Sequence, residues 1–195
     1  MNPVKTSLSK LKFPAVIDTS NHDIIWDFFV PALQNSVRYD RGVGFFSAGW
    51  LRIAAKGMAT FAGNSGYARW VTSPILSKED WQALQLGESA RYDKVLHQVL
   101  ERNLDDLEQA LEQDTLSTLA WLVADGILDF KIALPRNKLE RGDFHDKFGI
   151  FTDEKGIQVS FNGSYNDSIQ GTRNYESIKI FCSWKPSFAQ LIKAD

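Results

Sequence analysis

The feature that most constrains this chain is a change of hydrophobic period that occurs twice between residues 37 and 74. VRYDRGVGFF (37–46) alternates and then turns apolar, AGWLRIAAKGMATFAG (48–63) repeats at helical spacing, and YARWVTSP (67–74) is a short strand closed by Pro74. Strand, helix and strand in that order is the pattern of a parallel or mixed sheet with helices packed on it. NHDIIWDFFVPALQNS (21–36) precedes this unit and also has helical spacing, with Pro31 expected to kink it or end its regular hydrogen bonding.

From Ser77 the helical period takes over. SKEDWQALQLG is capped at Ser77, RYDKVLHQVLERNLDDLEQALEQ (91–113) reads as one long amphipathic helix, and DTLSTLAWLVADG ends the block at Gly126. ILDFKIALP (127–135) reads as a buried strand stopped by Pro135. After the polar RNKLERGD (136–143), KFGIFT and IQVSFN flank DEKG, a turn in which Gly156 can take positive φ, so a β-hairpin is expected. YESIKIFCSW (175–184) is a further strand, and PSFAQLIKA (186–194) starts a helix with proline in its first turn. The expected fold is therefore α/β: a mixed, largely parallel sheet flanked by helices, one domain over residues 1–195 with an inserted helical layer at 77–126. The last helix is cut short, which suggests a piece of a longer protein.

Charge excludes little overall, at a net −2, but its distribution is uneven. Residues 77–129 carry 4 Lys/Arg against 12 Asp/Glu, while residues 1–76 carry 8 against 4 and residues 130–195 carry 10 against 8. The acid sits on the helical block, which leaves mildly basic flanks that permit a phosphate-binding surface. A single cysteine, Cys182, cannot close an intramolecular disulfide, and no Cys/His spacing suggests zinc. The start has no apolar signal core and no run reaches membrane-spanning length, so a cytoplasmic protein without a membrane partner is expected.

The chemistry concentrates in FHDKFGIFTDEKGIQVSFNGSYNDS (144–168). If a strand begins near Phe144, His145 and Lys147 project to the same side and Asp146 to the other. An imidazole beside an ammonium suits a phosphodiester: the cation offsets non-bridging oxygen charge, and the imidazole attacks phosphorus or protonates a leaving oxygen. GSYN (163–166) adds a flexible backbone at Gly163, the Ser164 hydroxyl and the Asn166 amide, all able to serve phosphate oxygens. Glu176, at the start of the next strand, is placed to accept an imidazole N–H and fix its tautomer.

Other residues have plainer readings. His22 and His97 read as structural, and Trp26, Trp50, Trp70 and Trp121 as core. Arg136, Lys138, Arg141 and Arg173 lie near the motif and are candidates to track a nucleic-acid backbone or to be solvated loop charges; Arg173 is carried forward as a substrate-binding residue. A metal cluster of Asp143, His145, Asp146 and Glu154 is disfavoured by the alternation.

These residues resemble the phospholipase D superfamily, whose mark is H-x-K-x4-D followed by G-S-x-N or G-S-x-x-N. HDK (145–147) and GSYN (163–166) match, and Glu176 falls where the nuclease branch of that family has a glutamate. The strict aspartate position is occupied by Thr152, with Asp153 the nearest carboxylate. Upstream, YDRGVGFFSAGWL (39–51), WVTSP (70–74) and LSKEDWQAL (76–84) look like the phospholipase-D-like domains at the N-terminus of bacterial helicase-like proteins and in some restriction enzymes. The resemblance implies a nuclease that needs no metal or other cofactor. It would act through a phosphohistidine, with His145, Lys147, Ser164, Asn166 and Glu176 as its catalytic set and Lys147, Ser164 and Asn166 holding the phosphate. A single motif copy implies a homodimer that joins two active-site faces. DNA is the implied substrate, with RNA as a second, and a helicase is the implied fusion partner or associate. A nucleic-acid-binding module with little turnover is one alternative, and a phospholipid phosphodiesterase another; the latter is disfavoured by the lack of an export signal or basic membrane helix.

Overall fold

Arg38–Val43 forms the strand, β2, about which the sheet is organised. In the computed structural model, which describes residues 7–134, 136 and 142–188, seven strands lie in the order β1-β7-β6-β5-β2-β3-β4. The others are β1 (Val16–Asp18), β3 (Tyr67–Thr72), β4 (Leu128–Ile132), β5 (Phe148–Thr152), β6 (Gln158–Gly163) and β7 (Ser177–Cys182). β2, β3 and β4 run parallel, joined by helical crossovers. The β2–β5, β5–β6, β6–β7 and β1–β7 pairings are antiparallel. The sheet is mixed, as expected, but antiparallel pairings predominate. The tight β5–β6 turn reverses the chain directly, whereas β2–β3 and β3–β4 return in parallel through long crossovers.

Chain direction through the sheet therefore changes at β2. From its carboxyl end the chain crosses to β3 on one side, and β5 lies against it on the other. Such a switch point leaves a crevice at the carboxyl end of the strand.

The helices are α1 (Val30–Gln34), α2 (Gly49–Ile53), α3 (Ala55–Gly63), α4 (Lys78–Ala90), α5 (Lys94–Leu100), α6 (Leu107–Gln113) and α7 (Thr115–Ala124). Pro31 has the effect expected of it: a π-helical turn, Ile25–Phe29, precedes α1 and widens the backbone where the ring would meet the preceding turn. Ser77 caps α4 by accepting from Asp80 N at 3.0 Å. The expected single helix over 91–113 is broken into α5, a short 3-10 turn and α6. Its own side chains break it: Asp93 accepts from Val95 N and Leu96 N, and Asn103 from Asp105 N, so each starts a new helix. The acidic side chains Glu101, Asp105, Glu108 and Glu112 are exposed, as expected of a solvated face.

The core is aromatic. Tyr39 and Phe151 are direct cross-strand partners and stack at 4.2 Å, while Phe29 meets Trp50 at 5.2 Å and Phe161 at 5.3 Å, edge to face. Each such pair adds about 0.5–1.5 kcal/mol beyond area burial. Trp50, Trp70 and Trp121 are buried, but Trp26 is 52% exposed, with the Lys56 ammonium over its ring. β4 is an edge strand and not the buried one expected: only Leu128 in it is buried, and Lys131 is exposed. Its apolar residues Leu128, Phe130 and Ile132 alternate with Asp129 and Lys131, so only one side of it is apolar, and among the described residues no strand pairs with its outer edge.

The hairpin forms as expected. Gly156 has φ +75°, and the Asp153 carboxylate accepts from Lys155 N and Ile157 N inside the turn and from Ser7 Oγ and Leu8 N outside it. Pro135, Lys138 and Arg141, and all of the expected C-terminal helix beyond Phe188, lie outside the described residues. Among the described residues no helix is long and apolar enough to cross a membrane.

Candidate active site

One cleft is lined by His145, Asp146, Lys147, Gly163, Ser164, Asn166 and Glu176. It lies at the carboxyl end of β2, where the start of β5, the end of β6 and the start of β7 meet. Four polar residues expected to act on a phosphodiester are thus brought together with the expected glutamate. Arg173 is exposed at the end of the short 3-10 turn Gln170–Thr172 and is not among the residues lining the cleft; Arg136 is exposed.

The local path differs from the expected strand. β5 begins at Phe148, because its partner β2 is last paired there, Gly42 to Phe148. One further bond, Gly163 N to Lys147 O at 3.1 Å, carries the β5–β6 ladder to Lys147. His145 and Asp146 lie beyond it, so strand alternation does not separate them, and Asp146 lines the same cleft. What fixes His145 beside Lys147 is a side-chain bond: Lys147 Nζ donates to His145 O at 2.6 Å. Asp146 Oδ1 in turn accepts from Lys147 N at 2.9 Å. Glu154 sits in the turn at the opposite end of β5, and among the described residues no three His, Cys, Asp or Glu side chains group as a metal would require.

Lys147 is 6% exposed, whereas His145 is exposed. Burial holds the lysine's pKa below the ordinary value, and the neighbouring Arg41 charge adds to the effect; Glu176 and Asp146 oppose it.

Gly163 has a different role from the flexible one expected of it. A Cβ there would fall 2.0 Å from Ser177 O, so the residue is glycine because β7 passes against it. Ser164 continues that contact: its N donates to Ser177 O at 3.0 Å, and its Oγ accepts from Ser177 N at 3.1 Å, leaving the hydroxyl proton to donate. Asn166 Oδ1 accepts from Phe45 N at 3.1 Å, which directs the amide so that Nδ2 remains a donor. Glu176 is 8% exposed; its N donates to Thr19 Oγ1 at 2.9 Å, and its Oε1 is 3.5 Å from Asn174 Nδ2.

Sequence reasoning missed two contributors. Gly44 lies against the histidine and the lysine: a Cβ there would sit 3.1 Å from His145 Nδ1 and 3.1 Å from Lys147 Nζ. A second glycine two residues after Gly42, just where the strand turns apolar, was the available signal. Arg41 and Asp167 form a buried pair behind the cleft, and the signal there was a charge at the alternation position that Arg41 shares with Tyr39 and Val43, the inward side of a strand whose other charges, Arg38 and Asp40, fall on the opposite side.

The fold is phospholipase D-like, the architecture expected from the sequence. Among solved structures the chain is similar to NucT from Helicobacter pylori, with a TM-score of 0.50 and 12% identity over 92% of this chain and 91% of that one. No protein-family model matches the chain, and no curated protein matches it in sequence.

Proposed function

We propose that this chain is a phosphodiesterase of the phospholipase D type that cleaves DNA through a phosphohistidine, without a metal, as a cytoplasmic homodimer serving a helicase or restriction system. The observation that carries the reading is the convergence of His145, Lys147, Ser164, Asn166 and Glu176 on one cleft at the switch point of the sheet. The fold shared with NucT over nearly the whole chain supports it.

In the proposed reaction an imidazole nitrogen of His145 attacks phosphorus opposite the leaving oxygen. The N–P bond forms as the P–O bond breaks, and the departing oxygen takes a proton from the imidazolium of the partner subunit's His145. Water then attacks phosphorus and gives its proton to that now neutral imidazole, the N–P bond breaks, and His145 is released. Lys147, the Ser164 hydroxyl and the Asn166 amide offset charge that builds on the non-bridging oxygens. Glu176 orients His145 by accepting from its second nitrogen.

The test is cleavage of single- and double-stranded DNA in excess EDTA, wild type against His145→Ala. Expected are cleavage by the wild type, none by the variant, and an acid-labile phosphoprotein trapped only in the wild type. Cleavage that needs added magnesium, or that survives the substitution, rules the mechanism out. Salt-sensitive DNA binding with no cleavage would instead make the domain a binding module.

A further inference from the structure

We infer that Arg41 and Asp167 are positioning residues that hold the two halves of the phosphate cradle at a fixed separation; this rests on the phosphodiesterase reading above. The cradle comes from two chain segments. Lys147 enters it from the start of β5, and Ser164 and Asn166 enter it from the loop after β6. Backbone pairing joins the two segments only as far as Gly163 N to Lys147 O, at 3.1 Å; side-chain hydrogen bonds between them within the cleft are absent among the described residues, so the spacing beyond that pair, out to Asn166, is set from behind.

Arg41 sets it. Its Nη1 donates to Phe148 O at 2.9 Å, one residue after Lys147. Its Nη2 donates to Tyr165 O and to Asp167 Oδ1, each at 2.8 Å, so it grips the chain on both sides of Asn166. Nε donates to Asp167 Oδ2 at 3.0 Å, and Trp70 Nε1 donates to the same oxygen at 2.8 Å. Arg41 and Asp167 are both fully buried in side chain, so water cannot substitute for a lost bond. Asp167 O also accepts from Ser47 N at 2.9 Å, which anchors the loop that presents Phe45 N to Asn166.

A guanidinium suits this task because its planar fork reaches a carboxylate and several carbonyls at once, and an ammonium does not. The same charge contributes to the lowered pKa of Lys147, so the pair acts on the cleft's electrostatics as well as its spacing. Nothing in the arrangement requires Arg41 or Asp167 to touch substrate.

Arg41→Lys keeps the charge and loses the fork; Asp167→Asn keeps the shape and loses the charge. Each is compared with the wild type, at a temperature where circular dichroism shows it fully folded, in three measurements. These are kcat and KM for bis(4-nitrophenyl) phosphate, equilibrium binding of orthovanadate, and the NMR line of the Asn166 side-chain amide. Expected in Arg41→Lys is a kcat roughly tenfold to a hundredfold lower, as a displacement of about 1 Å produces, with weaker vanadate binding and a shifted or broadened Asn166 line. Asp167→Asn is expected to do the same, and it decides the matter if Arg41→Lys fails to fold. A variant that unfolds more easily but retains wild-type kcat, vanadate affinity and Asn166 line when folded overturns the inference. If the wild type itself turns over no phosphodiester, the functional reading fails, while an unmoved or displaced Asn166 line still decides the positioning role.

Discussion

Both oxygens of the Asp167 carboxylate are held by one guanidinium, Arg41 Nη2 reaching Oδ1 at 2.8 Å and Nε reaching Oδ2 at 3.0 Å, with neither side chain in contact with solvent. Removing one member leaves the other charged and buried. Asp167→Ala is therefore expected to lower unfolding free energy by about 3–5 kcal/mol, read from urea denaturation. A loss under about 1 kcal/mol would mean that water or a new partner reaches Arg41.

Gly44→Ala tests the close approach of β2's end to the cleft. The added methyl meets His145 Cα, His145 Nδ1 and Lys147 Nζ, each at 3.1 Å. His145 is exposed and can give way, so stability is expected to change by less than about 1 kcal/mol while turnover falls roughly tenfold or more. Unchanged turnover with the histidine shifted would show that its placement is not limiting.

Gly163→Ala is expected to behave differently. Its methyl would fall 2.0 Å from a backbone oxygen, Ser177 O, which has no flexible end to move. The β6–β7 junction must part, at roughly 1–3 kcal/mol or more of stability, and activity is lost with it. Thermal midpoints of the two glycine variants, measured side by side, give the comparison.

Asp153→Ala separates the hairpin from the chemistry. The carboxylate accepts four hydrogen bonds, from Ser7, Leu8, Lys155 and Ile157, at the end of β5 remote from His145. The variant is expected to lose about 2–3 kcal/mol and to keep wild-type kcat at a temperature where it is folded. A selective loss of kcat would tie this aspartate to the reaction.

Lys147 gives a pH dependence with a definite sign. Its folded pKa lies below the ordinary lysine value of 10.5, chiefly through burial, so between the two values the unfolded chain binds more proton than the folded one. Stability contributed at this position therefore rises as pH climbs through that window toward 10.5. Relative to Lys147→Met, the wild type should gain unfolding free energy across that alkaline window. A difference that stays flat or falls would mean that the lysine is not desolvated in the folded protein.

Much of this was legible in the sequence because the informative signals are local. The hairpin follows from alternation around DEKG, the α4 cap from Ser77, and the grouping of His145, Lys147, Ser164 and Asn166 from the order of their motifs along one hairpin. What was not legible depends on partners distant in sequence. The start of β5 at Phe148 is set by where β2 stops pairing, and the close approaches at Gly44 and Gly163 are set by His145 and by Ser177. Residues 91–113 kept an unbroken helical period, yet Asp93 and Asn103 restart the helix, since capping is decided residue by residue and periodicity over a window. Arg41 and Asp167 are 126 positions apart, and neither has a local sign of the other.

The two borders of the sheet bear on how copies of this chain can meet. β1 is only three residues long, and β4 places Asp129 and Lys131 in a 3.3 Å ion pair along the opposite border. Stubby or charge-studded borders are poor templates for another backbone, so neither invites the open-ended stacking by which β-rich proteins coalesce. Lengthening of the sheet by a second backbone is thereby disfavoured at both borders.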